Sequence, residues 1–189
     1  MSILLIGATS SLGDTLVRRL IDEGDEVRAL VTDEDAGARL GRLGAYIATG
    51  PELDADLVER AATNCRTIVV IERPGMDTAE IVRTAIAGGR AALGAPEEGI
   101  RLILCGAVPD EDAIAALRSS DLSYVVLRTG RRLAGLLPIA TERVTDEHVA
   151  NAVDAADDIA GEIRLELDLT DAADWGKLKL APPGAQTPR

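Results

Sequence analysis

The sequence predicts an α/β fold built on a doubly wound, mostly parallel sheet with helices on both faces. Short Val-, Ile- and Leu-rich runs alternate with longer Ala-, Leu-, Arg- and Glu-rich runs along the 189 residues, the rhythm of strand–helix–strand units. Several short runs are apolar throughout, as strands buried on both faces are. The core has to be aliphatic, because the chain has no Phe, one Trp (Trp175) and two Tyr (Tyr46 and Tyr124).

Taken in order, residues 2–6 (SILLI) have no polar alternation and predict a central strand. Residues 11–23 follow with Leu12, Leu16, Val17, Leu20 and Ile21 at helical spacing, and Gly24 stops them. Strands are predicted over 26–31, 45–48 and 67–71, and helices over 36–43 and 54–62. In the second half, 77–93 reads as a helix that Gly88 and Gly89 weaken or end early. Residues 100–104 and 123–127 read as strands, and 110–119 as a helix with acidic residues in its first turn. Residues 145–157 open on Thr-Asp-Glu and carry Val149, Ala152, Val153 and Ala156 on one helical face. Residues 162–169 alternate apolar and polar, as expected of an edge strand. Residues 1–180 are expected to form one domain, followed by a disordered Pro-rich tail, 181–189.

Twenty basic against 32 acidic residues give a net charge of −12, which speaks against nucleic acid and anionic membrane as partners. No apolar run reaches the roughly 18 residues of a spanning helix, and the N-terminus lacks the basic region of a secretory signal. Cys65 and Cys105 are far apart, and His148 is the single histidine. No metal site is expected, and a reducing cytoplasm is the expected location. His148 is expected on the surface.

Gly7-Ala8-Thr9-Ser10-Ser11-Leu12-Gly13 lies between the first strand and the first helix. There a glycine turn lets backbone N–H groups and the helix dipole hold a pyrophosphate. Gly7 permits the turn, Gly13 lets the helix pack closely, and Ser10 stands where a middle glycine would admit the phosphate. Gly7, Thr9, Ser10, Ser11, Leu12 and Gly13 are therefore candidate cofactor contacts. The alternative is a turn kept for packing, without a nucleotide.

The run ILLIGATSSLGDTLVRRLIDEGDEVRALV resembles the opening of the atypical short-chain dehydrogenase/reductases, in particular their NmrA-like, NAD(P)-binding branch. Residues 119–130 (SSDLSYVVLRTG) resemble that family's sixth strand and turn, and 144–155 (VTDEHVANAVDA) the helix after its substrate-side insertion. The resemblance spans about residues 2–170. It implies a Rossmann-like fold, a dinucleotide over the carboxyl ends of the strands, and here a minimal substrate-side insertion.

The family's catalytic residues do not carry over. Its Tyr-x-x-x-Lys pair is absent: Gly50 stands four residues after Tyr46, and Arg128 four after Tyr124. Tyr124 lies inside a predicted strand, where packing is its expected role. Leu104-Cys105-Gly106-Ala107 replaces the catalytic Ser or Thr. No catalytic residue is assigned. Where the family has Gly-Asp after the third strand, this chain has Gly50-Pro51, and Glu72-Arg73-Pro74-Gly75 follows the fourth. Arg73 either clamps a phosphate, pairs with Glu72 to fill the site, or is a solvated loop charge.

NADP-preferring members of the family carry Arg after the second strand. This chain has Thr32, then Asp33, Glu34 and Asp35. Three carboxylates repel a 2′-phosphate, and Asp33 lies about 20 residues past Gly13, where an acid holds ribose hydroxyls. NAD is favoured over NADP; alternatively, Asp33 to Asp35 only caps the next helix. Ile71 and Cys105, at strand ends, complete the candidate cofactor contacts, with Cys105 otherwise a core residue.

Three functions stay open. One is a non-catalytic NAD(P)-binding redox sensor or interaction module with a protein partner, possible as a homodimer. Another is an oxidoreductase or epimerase with relocated groups such as Cys105 or Glu72. The third is a scaffold that binds no nucleotide.

Overall fold

The computed structural model describes residues 2–50, 52–94, 96, 99–130 and 144–180. Its elements alternate: β1 (Ser2–Ile6), α1 (Ser11–Asp22), β2 (Glu26–Val31), α2 (Glu34–Arg42), β3 (Tyr46–Thr49), α3 (Ala55–Ala61) and β4 (Cys65–Ile71). They continue as α4 (Thr78–Ala91), β5 (Arg101–Gly106), α5 (Glu111–Ser119), β6 (Tyr124–Arg128), α6 (Asp146–Asp157), β7 (Arg164–Asp168) and α7 (Ala172–Lys177). One seven-stranded sheet runs β3-β2-β1-β4-β5-β6-β7, with every pair parallel.

The apolar run of β1 is explained by burial on both faces. Ile3 and Leu5 pack into the layer holding Leu16 and Val17 of α1 and Val149 and Val153 of α6. Leu4 and Ile6 face the opposite layer, with Val58 of α3, Val82 of α4 and Ile114 of α5. A strand covered on both sides has no use for alternation. At the margins the pattern changes: Tyr46 on edge strand β3 is 66% exposed, and in β7, the other edge, only Leu167 is fully buried.

Most predicted elements recur within a residue or two, and the doubly wound parallel sheet is present. Three readings need correction. Helix α4 runs through Gly88 and Gly89 instead of weakening there. A Cβ on Gly88 would lie 2.6 Å from the Val58 Cβ and 2.7 Å from the Ala55 carbonyl oxygen. Glycine here admits α3, and packing outweighs a helix-interior cost of about 1 kcal/mol. Helix α7 was not foreseen; it carries Trp175, which is buried and donates its indole N–H to the Leu169 carbonyl at 2.9 Å. His148 is half-buried instead of free on the surface. Its Nδ1 accepts from the Thr145 N–H at 3.1 Å, and its ring meets Trp175 edge-on at 6.1 Å. Pro51, the substrate-side insertion (131–143) and the Pro-rich tail (181–189) lie outside the described residues.

A polar network ties α6 to the N-terminal edge of the sheet. Arg66 donates to Asp25 at 2.8 Å and also to Asp157, whose side chain is buried. The Thr67 hydroxyl donates to the other Asp157 oxygen. Arg101 donates to the Ala156, Asp157, Ile159 and Gly161 carbonyls at the end of α6.

Candidate functional site

Strand order reverses between β1 and β4, and such a switch point opens a crevice at the carboxyl ends of the strands. The chain enters it through Gly7, at φ +81°, and the Thr9 N–H closes a tight turn on the Gly7 carbonyl at 2.8 Å. A Cβ on Gly7 would sit 2.5 Å from the Ile71 carbonyl oxygen, and one on Gly13 2.5 Å from that of Ala8. Both glycines are therefore required by the backbone, as their spacing predicts.

The first turn of α1 differs from those of the other described helices. Asp33, Asp54, Asp77, Asp110, Thr145 and Asp171 each accept a backbone N–H as N-cap. Ser10, the N-cap of α1, makes no side-chain cap bond. Helix N-terminal N–H groups need acceptors, and a bound anion supplies them. Asp14, an acid in that turn, is paired with Arg39 at 2.8 Å, which offsets its charge.

A cavity of about 190 Å³ lies beside this turn, lined by Gly7, Thr9, Thr32 and Arg73 together with Leu53, Met76 and Ile81. Four of the predicted contacts thus meet in one place. Leu53, Met76 and Ile81 were missed because isolated apolar residues in loops and helix starts look like any others in a sequence. The apolar wall, the glycine turn and the Arg73 cation fit the adenosine and phosphates of a dinucleotide. When bound, a nicotinamide dinucleotide supplies a hydride acceptor or donor.

Arg73 is exposed and donates to the Thr9 hydroxyl at 3.1 Å. Glu72 takes a different direction: its Oε1 accepts from the Thr78 hydroxyl at 3.3 Å and from the Asp110 N–H at 3.2 Å. The alternative in which Glu72 and Arg73 fill the site as a pair is therefore not the arrangement seen. Asp33 caps α2, accepting the Ala36 N–H at 2.7 Å, yet it remains exposed beside Thr32 at the end of β2.

The other predicted contacts are dispersed. Ser10 and Ser11 are exposed, Leu12 is half-buried, and Ile71 is buried at the end of β4. Cys105 needs correction: its side chain has no exposed surface and belongs to the core layer under α1 and α6. Only its carbonyl reaches the crevice side, accepting the Glu72 N–H at 2.8 Å. Burial pushes its thiol up to about 12 and that of Cys65 up to about 11, so both stay protonated. Neither tyrosine reaches the crevice, since Tyr46 and Tyr124 begin β3 and β6 at the opposite edge. Among the described residues, no cluster of His, Cys, Asp and Glu could hold a metal, and no helix is long and apolar enough to cross a membrane.

No family model matches the chain. A segment of 97 residues, 50% of the chain, is 36% identical to the photosystem II assembly factor Ycf39 of Cyanophora paradoxa. That segment covers 30% of the relative, and the chain spans less than a third of the curated relatives it matches. ChuY, an anaerobilin reductase from Escherichia coli O157:H7, superposes over 100% of both chains with a TM-score of 0.68 and 18% identity. The Citrobacter sp. triphenylmethane reductase complexed with NADP(H) covers 87% of this chain and 68% of its own, with a TM-score of 0.64 and 16% identity. With its all-parallel sheet and glycine turn, the chain has a Rossmann-like α/β fold, the fold it shares with these reductases.

Proposed function

We propose that the chain binds a nicotinamide dinucleotide, NAD in preference to NADP, and acts as a redox-responsive interaction module with a protein partner. The observation that carries the reading is the uncapped first turn of α1 beside the cavity lined by Gly7, Thr9, Thr32 and Arg73. Gly7, Thr9, Ser10, Ser11, Leu12 and Gly13 hold the pyrophosphate, Arg73 adds a positive charge to it, and Thr32 and Asp33 meet the adenosine ribose.

A role without turnover is supported by the missing acid–base pair. Both tyrosines lie at the far edge of the sheet, and the lysines, Lys177 and Lys179, lie in and just after α7. The segment shared with an assembly factor favours a protein partner. Two buried free cysteines suit a reducing cytoplasm.

A second reading, an NAD(P)H-dependent reductase, is favoured by the end-to-end superposition on ChuY. The two are separated by following NADH and NADPH absorbance with a panel of carbonyl and tetrapyrrole acceptors. Binding of NAD without acceptor-dependent oxidation of either reduced cofactor supports the module. Turnover of any acceptor replaces it with the reductase.

A further inference from the structure

We propose that the Asp14–Arg39 ion pair sets the anion affinity of the α1 turn, with Arg39 as a positioning residue that cancels the Asp14 charge beside the phosphates. This rests on the dinucleotide reading of the site above. Asp14 is the first residue of α1 whose N–H bonds back into the helix, to the Ser10 carbonyl at 3.3 Å. The N–H groups of Ser11, Leu12 and Gly13 before it are the ones a pyrophosphate would meet. The Asp14 carboxylate therefore stands within one turn of the site, on the element whose positive end attracts the ligand.

An acid at that position acts in opposite directions in the free and the loaded helix. Without ligand it complements the positive end of the helix, where Ser10 makes no side-chain cap bond. With an anion at the same turn it becomes a like charge at short range. Asp14 is half-buried, so solvent screens it only in part.

Arg39 reaches the carboxylate from a different element, α2. Its Nε donates to Asp14 Oδ1 at 2.8 Å, and the two side chains lie partly enclosed between α1 and α2. The Nη2 group of the same guanidinium is buried and makes no hydrogen bond. Among the described residues neither partner has a second ion pair, so each charge is held by the other. Removing Arg39 leaves an acid beside the phosphates, and removing the Asp14 charge leaves a cation there. A bridge that merely joined α1 to α2 would lose the same contact whichever partner was changed. An electrostatic role makes the two changes opposite in sign.

The test measures the dissociation constant of NAD⁺ by calorimetry for the whole chain, Asp14→Asn, Arg39→Met and the double variant, each at low and at high salt. Asp14→Asn, which keeps an oxygen for the Arg39 Nε, should bind about tenfold tighter, the effect of one unit charge near a partly solvated site. Arg39→Met, which keeps the apolar stem, should bind about tenfold weaker for the same reason. The double variant carries neither charge and should return towards the wild-type value. High salt should compress all of these differences. Asp14→Asn carries the test by itself if Arg39→Met does not fold. Weaker or unchanged binding by Asp14→Asn, or a double variant no better than Arg39→Met, would overturn the proposal while leaving dinucleotide binding intact. Absence of binding by both the wild-type chain and Asp14→Asn at millimolar NAD⁺ would overturn the dinucleotide reading and the proposal together.

Discussion

The Arg73 guanidinium donates to the Thr9 hydroxyl at 3.1 Å, joining the loop after β4 to the glycine turn after β1 across the mouth of the cavity. Both residues belong to the cavity wall, so a phosphate entering there meets a cation already held over the turn. Arg73→Ala should weaken NAD binding about tenfold, the size of one charge-assisted contact, with the melting temperature unchanged because the side chain is exposed. Calorimetry with a thermal melt checks both. Tighter binding in the variant would mean that Arg73 plugs the cavity.

Gly7 is constrained twice, by its left-handed backbone and by the Ile71 carbonyl 2.5 Å from any added Cβ. Gly7→Ala should cost about 2 kcal/mol of stability and lower the melting temperature by about 5 °C. It should also reduce nucleotide affinity, since the turn that aims the α1 N–H groups has to shift. Differential scanning calorimetry on the free and NAD-loaded protein measures the two effects separately.

Asp33 caps α2 and stays exposed beside Thr32, with Glu34 and Asp35 following. NAD should bind about tenfold more tightly than NADP, whose 2′-phosphate faces these carboxylates. Asp33→Asn keeps the cap and removes one charge, so the preference should narrow without loss of helix. Paired titrations of the two cofactors decide it.

How much of this was legible in the sequence depends on whether a feature is local. The strands and helices themselves, the glycine turn and the capping acids are written in adjacent residues, so period and turn chemistry locate them. The wall made by Leu53, Met76 and Ile81 comes from three separate segments, and only the folded chain brings it together. Gly88 looks like a helix breaker until Val58 and Ala55 are placed against it. Helix α7 is six residues long, too short for a periodic signal, and it depends on burying Trp175. The end of β5 brings Cys105 towards the crevice, but strand residues alternate faces and this side chain turns into the core, the alternative its residue type also offers.

The Arg66 network makes stability depend on pH in a definite direction. Burial tends to raise the Asp25 carboxyl, but hydrogen bonding to Arg66 outweighs it and holds the group below its ordinary value. Glu166 is held low chiefly by Arg118. A depressed carboxylate contributes stability above its ordinary pKa, and that contribution is lost as pH falls through the depressed value. The wild-type protein should therefore lose stability below about pH 4. Arg66→Met leaves the buried Asp157 without its guanidinium and should cost about 3 kcal/mol at neutral pH. The deficit should shrink on acidification, because the part of it that comes from Asp25 losing Arg66 disappears once Asp25 is protonated. Urea unfolding at several pH values tests both slopes.

Both thiols should be silent towards a soluble disulfide reagent in the native state, since Cys65 and Cys105 are buried and protonated. Labelling is expected only at the rate of unfolding. Fast labelling of Cys105 in the native protein would restore it as a chemical group of the crevice.

The most direct measurement is a backbone amide NMR titration with NAD⁺. Binding at the first turn should produce its largest shifts at Thr9, Ser10, Ser11, Leu12 and Gly13, with further shifts at Thr32 and Arg73, saturating in the micromolar range. An unchanged spectrum at millimolar NAD⁺, or shifts confined to other parts of the chain, would contradict the dinucleotide site.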